Sequence, residues 1–182
     1  ANWQTGGQKD IQYQGETYLW SKNPEFHKFV DAPRRCGETF EMATDIKDPA
    51  EKNKFLQNGW QIVPPHRLSK NFQSYKDYIR RSNAEFTVAK DQYIRLRTGW
   101  FSDRSACYLA AGRPVITQET GFSKFIPCGQ GLFAFAGPDE IVEAIRAIKT
   151  DYKAHCRAAR QIALEYFEAE KVLKKILEAA GI

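Results

Sequence analysis

The chain has 182 residues, enough for one domain that buries about 70% of the unfolded chain's surface. With 42% hydrophobic and 27% charged residues, and twelve Phe, eight Tyr and four Trp along its length, it is not disordered, collagen-like or of low complexity. A net charge of +5 favours phosphates, anionic lipid headgroups or nucleic acid without choosing among them. No apolar run approaches the roughly 20 residues of a membrane span, and residues 1–10 are polar, with neither a basic start nor an apolar stretch. The expected location is therefore cytoplasmic, with peripheral membrane contact left open. The sequence does not open on Met, which fits an excised or processed piece of a longer protein.

Short extended runs alternate with amphipathic stretches, the pattern of a parallel sheet with crossover helices. In chain order, strands are predicted at 10–14, 39–44, 60–64, 84–89, 114–118 and 131–135. Between them, helices are predicted at 24–30, at 49–58 closing on Gly59, at 72–81, and at 103–111 closing on Gly112. Gly137-Pro138-Asp139-Glu140 then opens a helix with Ile141, Ile145 and Ile148 on one face, since Pro suits the first helical position and acids suit the N-terminus. From 152 to 180 there is no Gly or Pro, and apolar residues recur at helical spacing. A long terminal helix with a bend near Phe167 is expected. No repeat or linker marks a second domain.

In open parallel sheets ligands bind beyond the carboxyl ends of the strands. After the first run comes Trp20-Ser21-Lys22-Asn23, where Ser21 or Asn23 suits a helix cap and Lys22 would stand near the helix's positive end. A surface lysine beside a packed Trp fits the same residues equally well. After 84–89 come Lys90 and Gly99-Trp100-Phe101-Ser102-Asp103-Arg104-Ser105. Gly99 lets backbone approach a ligand, Ser102 suits an N-cap, and the N–H groups of Asp103 to Ser105 with the Arg104 fork suit a phosphate. A well-capped core helix explains the same pattern. Neither a Walker loop nor a dinucleotide fingerprint is present.

Glu119-Thr120-Gly121-Phe122 after 114–118 offers a carboxylate and a hydroxyl suited to sugar, or an ordinary polar turn. His66, after Pro64-Pro65, stands where it would line a ligand cleft, with a surface loop histidine as the plainer reading. The 127–131 turn is read as structural. His27, His66 and His155 lack metal or triad spacing, and no nucleophile elbow accompanies them, so no metal site is expected. Cys36, Cys107, Cys128 and Cys156 are too far apart for a zinc or disulfide framework and read as buried or idle thiols in a reducing cytosol. Aromatics interleaved with bases between Tyr75 and Arg97 fit helix and strand faces better than RNA, so no nucleic-acid partner is expected.

The runs Ala84-Glu85-Phe86-Thr87-Val88-Ala89-Lys90, Gly99 through Val115, and Thr120-Gly121-Phe122 resemble the carboxy-terminal half of bacterial GT-B glycosyltransferases of the group 1 kind. The surrounding order of strand, Trp20-Ser21-Lys22, helix, and final helices is similar from about Tyr13 to the end. The resemblance implies an α/β, Rossmann-like three-layer sandwich with a parallel sheet of about six strands and a long C-terminal helix. It makes residues 1–182 a single domain, the C-terminal half of a two-domain enzyme. It further implies a domain that binds a nucleoside diphosphate sugar as substrate, with no cofactor, and that partners an acceptor-binding N-terminal domain.

By that resemblance the donor diphosphate lies at Ser102 to Ser105, with Lys22 matching the family's neutralising lysine. Lys22 and Arg104 would stabilise the leaving group, Lys90, Gly99, Ser102, Asp103 and Ser105 would complete the diphosphate site, and His66, Glu119, Thr120, Gly121 and Phe122 would meet nucleoside or sugar. Better-known retaining members carry paired glutamates along this segment and an arginine shortly before the lysine. Gly99, Cys107 and no nearby arginine stand here instead. Either Glu119, Asp103, Lys90 and Arg104 take over those contacts, or the donor is held differently. A nucleotide-sugar epimerase domain and a non-catalytic nucleotide- or phosphate-binding module are the alternatives.

Overall fold

The structure, a computed structural model, describes Trp3 and residues 9–181. Of the polar opening stretch only Trp3, Lys9 and Asp10 fall within it. The elements are β1 (Ile11–Tyr13), β2 (Glu16–Tyr18), α1 (Asn23–Lys28), α2 (Ala32–Cys36), β3 (Phe40–Ala43), α3 (Pro49–Gln57), β4 (Trp60–Val63), α4 (Pro65–Leu68), α5 (Phe72–Arg81), β5 (Glu85–Thr87), α6 (Asp91–Arg95), α7 (Asp103–Ala110), β6 (Val115–Gln118), a 3-10 turn (Phe122–Lys124), β7 (Leu132–Phe135), α8 (Pro138–Thr150), α9 (Tyr152–Tyr166) and α10 (Ala169–Ala180).

All six predicted runs form strands, but not one sheet. β3 pairs with β4 in parallel, β6 lies between β5 and β7 with both pairings parallel, and β1 forms an antiparallel hairpin with β2. The reason β1 leaves the parallel set is the two-residue Gln14-Gly15 turn, with φ of 51° and 78°. Paired positive φ values match the twist of a hairpin and return the chain at once on its own strand. The architecture is mixed α/β and loosely Rossmann-like. The two parallel ladders share a core through aromatic rings: Phe40 and Trp60 lie 5.0 and 5.9 Å from Phe86, which stacks on Phe135 at 5.3 Å. Trp3 also enters this core, packing against Phe55 and donating from Nε1 to Glu51 at 3.0 Å.

Local chemistry explains the helix ends. The Asp48 carboxylate accepts from Ala50 N at 2.9 Å ahead of Pro49, and Asn71 accepts from Ser74 N at 2.8 Å, so α3 and α5 start where a side chain satisfies a first-turn donor. Glu140 in the first turn of α8 reaches back to Gly137 N at 2.9 Å. The long terminal helix expected at 152–180 forms as α9 and α10, with its break at Phe167 and Glu168. Phe167 stacks on Phe101 at 5.2 Å, and Glu168 is extended, which ends α9 before α10 begins. α9 lies close on the sheet because of Gly131. A Cβ there, at φ +73°, would stand 2.3 Å from Ala159 N.

Candidate functional site

The carboxyl ends of β5 and β6 gather three segments far apart in sequence. Lys22 caps α1 through its backbone rather than through a neighbouring side chain, its carbonyl accepting from Phe26 N at 3.1 Å. Its side chain runs inward and donates to Val88 O at 2.6 Å, with the ammonium 5.1 Å from the Trp100 ring centre. Lys22 is 6% exposed. Burial, reinforced by the Arg104 charge and opposed by Glu85, lowers its pKa to about 7. A glutamine–glutamate pair fixes α1 in place: Gln118 accepts from Ala89 N at 3.1 Å and donates to Glu25 at 2.9 Å, while Lys28 bonds the other Glu25 oxygen at 2.6 Å. Both Glu25 and Gln118 are buried.

Arg104, at the start of α7, does not present an open fork. Its Nε donates to Glu85 at 2.5 Å and its Nη2 to Thr87 Oγ1 at 2.7 Å, bracing α7 against β5. Burial alone would lower its pKa, and the Glu85 carboxylate more than reverses that. Ser102 occupies the cap position of α7, yet its side chain makes no capping bond. The first-turn N–H groups therefore have no partner within the helix. Asp103 is exposed, and Ser105 is fully buried with its Oγ unpartnered.

Lys90 extends from the end of β5 over the face of Trp20, 3.2 Å from the ring centre and 5.4 Å from that of Tyr93. Desolvation and the nearby Lys9 lower its pKa. Tyr93 stacks on Trp100 at 5.0 Å and meets Trp20 edge-on at 6.3 Å. Trp20, Tyr93 and Trp100, which sequence reasoning did not place at the site, thus form its wall. Their positions beside Lys22, Lys90 and Gly99 were the available signal.

The Glu119–Phe122 segment is mostly internal bracing. Thr120 donates from Oγ1 to Trp100 O at 2.6 Å and accepts through its carbonyl from Gly99 N at 2.8 Å. Glu119 accepts from Gly121 N and lies 3.7 Å from Arg97. A Cβ on Gly121 would meet Arg97 O at 3.0 Å, so this glycine permits close loop packing. Phe122 is 1% exposed and packs on Phe101 at 5.2 Å; it is a core residue. His66 is exposed on α4, after β4, with no hydrogen bond or ring contact to the Lys22 group among the described residues. Two open depressions lie elsewhere, one of about 550 Å³ lined by Asn23, His27, Asp48 and Lys54 among others, and one of about 340 Å³ between α2 and α8.

All four cysteines are free thiols. Among the described residues no helix is long and apolar enough to cross a membrane, and no group of three or more His, Cys, Asp or Glu is arranged to hold a metal. In comparisons with known proteins, no family model and no curated protein matches the chain.

Proposed function

We propose that the chain is the nucleotide-sugar-binding domain of a glycosyltransferase whose acceptor site and general base lie on a separate domain. The observation that supports this best is that Lys22, bonded to Val88 O just beyond β5, lies within electrostatic reach of both Lys90 and Arg104 in the first turn of α7. As a sugar–phosphate bond breaks, negative charge grows on the departing diphosphate. A lysine in a desolvated place and helix N–H groups stabilise that charge without reorganising, the most effective electrostatic arrangement. In this account Lys22 carries the charge stabilisation, Arg104 adds positive potential from its brace on Glu85, and Lys90 receives the outer phosphate.

Thermal-shift titration of the purified chain tests the proposal. Nucleoside diphosphates and nucleotide sugars raise the Tm, nucleosides do not, and the chain alone transfers no sugar. Equal stabilisation by nucleosides, or turnover by the chain alone, refutes it. Release of an altered sugar without any acceptor would instead identify an epimerase.

A further inference from the structure

Of the two lysines at this site, Lys22 is held by its 2.6 Å bond to Val88 O, whereas Lys90 rests on a tryptophan ring rather than on a carboxylate. Lys90 sits 3.2 Å from the Trp20 ring centre and Lys22 lies 5.1 Å from that of Trp100. Neither forms an ion pair among the described residues. Arg104 contrasts with them, because it is tied to Glu85. An ammonium on an aromatic face is held more weakly than one in a charge-assisted hydrogen bond, so an arriving phosphate draws Lys90 away from the ring at small cost. What it uncovers is the face of a half-buried indole, with Lys9 still 5.5 Å from the ring centre.

Given the diphosphate reading, we propose that Trp20 is the nucleobase platform: as Lys90 turns to the phosphate, the base takes its place on the indole. The spacing suits a nucleotide. Trp20 meets Tyr93 at 6.3 Å and Tyr93 stacks on Trp100 at 5.0 Å, so the Trp20 ring and the Trp100 ring beside Lys22 lie within the length of one nucleoside diphosphate. Stacking on an aromatic face is tolerant of base identity, since every base offers a π surface. Trp20 thus touches the base directly, with Tyr93 packed edge-on against it.

The experiment compares a panel of uridine, guanosine and adenosine diphosphates with inorganic diphosphate by calorimetry, on the 182-residue chain and on Trp20→Ala, Trp20→Phe and Lys90→Met. Trp20→Ala is expected to weaken the best nucleoside diphosphate about tenfold and inorganic diphosphate less than twofold. Trp20→Phe retains binding within about threefold, which excludes a folding defect, and Lys90→Met weakens both ligand types. Equal losses for both ligands in Trp20→Ala, or none, overturn the platform while leaving the diphosphate site standing. The platform is overturned in the same way if the unaltered chain binds inorganic diphosphate as tightly as any nucleoside diphosphate. Failure of the unaltered chain to bind either ligand overturns the platform and the diphosphate reading together.

Discussion

A buried lysine held near neutrality makes folding stability depend on pH in a direction that can be calculated. Lys22 titrates near 10.5 when unfolded and near 7 when folded. Below pH 7 the unfolded and folded states are both protonated, and the full cost of burying the charge opposes folding. As pH rises from 7 to 10.5 the folded lysine is already neutral while the unfolded one still binds its proton, so the cost fades and stability rises. At about 1.36 kcal/mol per pH unit, the cost at neutral pH is on the order of 3–5 kcal/mol. Lys22→Met removes the charge and keeps the volume, but leaves Val88 O without its 2.6 Å donor, a loss of about 1 kcal/mol. The variant should therefore be more stable than the parent by about 2–4 kcal/mol at pH 7, with the advantage gone before pH 10.5, where only the lost Val88 O bond remains. Urea unfolding followed by tryptophan fluorescence at several pH values measures this, and the difference between the two proteins cancels the tyrosines and thiols that titrate in the same range. Parallel stability curves for parent and variant from pH 7 to 10.5 would refute the assignment of a depressed pKa to Lys22.

Other expectations follow from packing. Gly131→Ala should cost about 2–5 kcal/mol in urea unfolding, because it combines a strained backbone with a Cβ forced against the α9 main chain. Glu85→Ala, by leaving Arg104 with Thr87 Oγ1 but no carboxylate, should destabilise by roughly 3 kcal/mol in the same assay, whereas exposed Asp103→Ala stays within about 0.5 kcal/mol. On α10, Leu173 and Ile176 are each 58% exposed, so replacing both by Ser should leave unfolding free energy almost unchanged, and the α10 amides should exchange quickly by mass spectrometry.

Much of the fold was legible because its signals are local. The helix expected at 72–81 forms with Asn71 as its cap, and the one opened by Pro138 and Glu140 forms over 138–150. The hairpin was not legible, since Gln at positive φ gives no warning in the sequence, and a three-residue β2 is too short to show alternation. α2, α4 and α6 are similarly brief. Lys22, Lys90 and the 99–105 segment could be singled out as candidates from their positions after strands. What Lys22 and Arg104 actually touch depends on partners 17 to 66 residues away, which only the fold supplies. Phe122 misled because a residue just beyond a strand end is as able to turn into the core as toward a ligand.

Amide NMR of the isotope-labelled chain during titration with a nucleoside diphosphate shows whether the ligand binds at the carboxyl ends of β5 and β6. Shift changes are expected to concentrate at Trp20–Asn23, Val88–Lys90 and Gly99–Ser105 and to be lost on Lys22→Ala. Changes centred instead on His27, Asp48 and Lys54, or on the groove between α2 and α8, would contradict binding there.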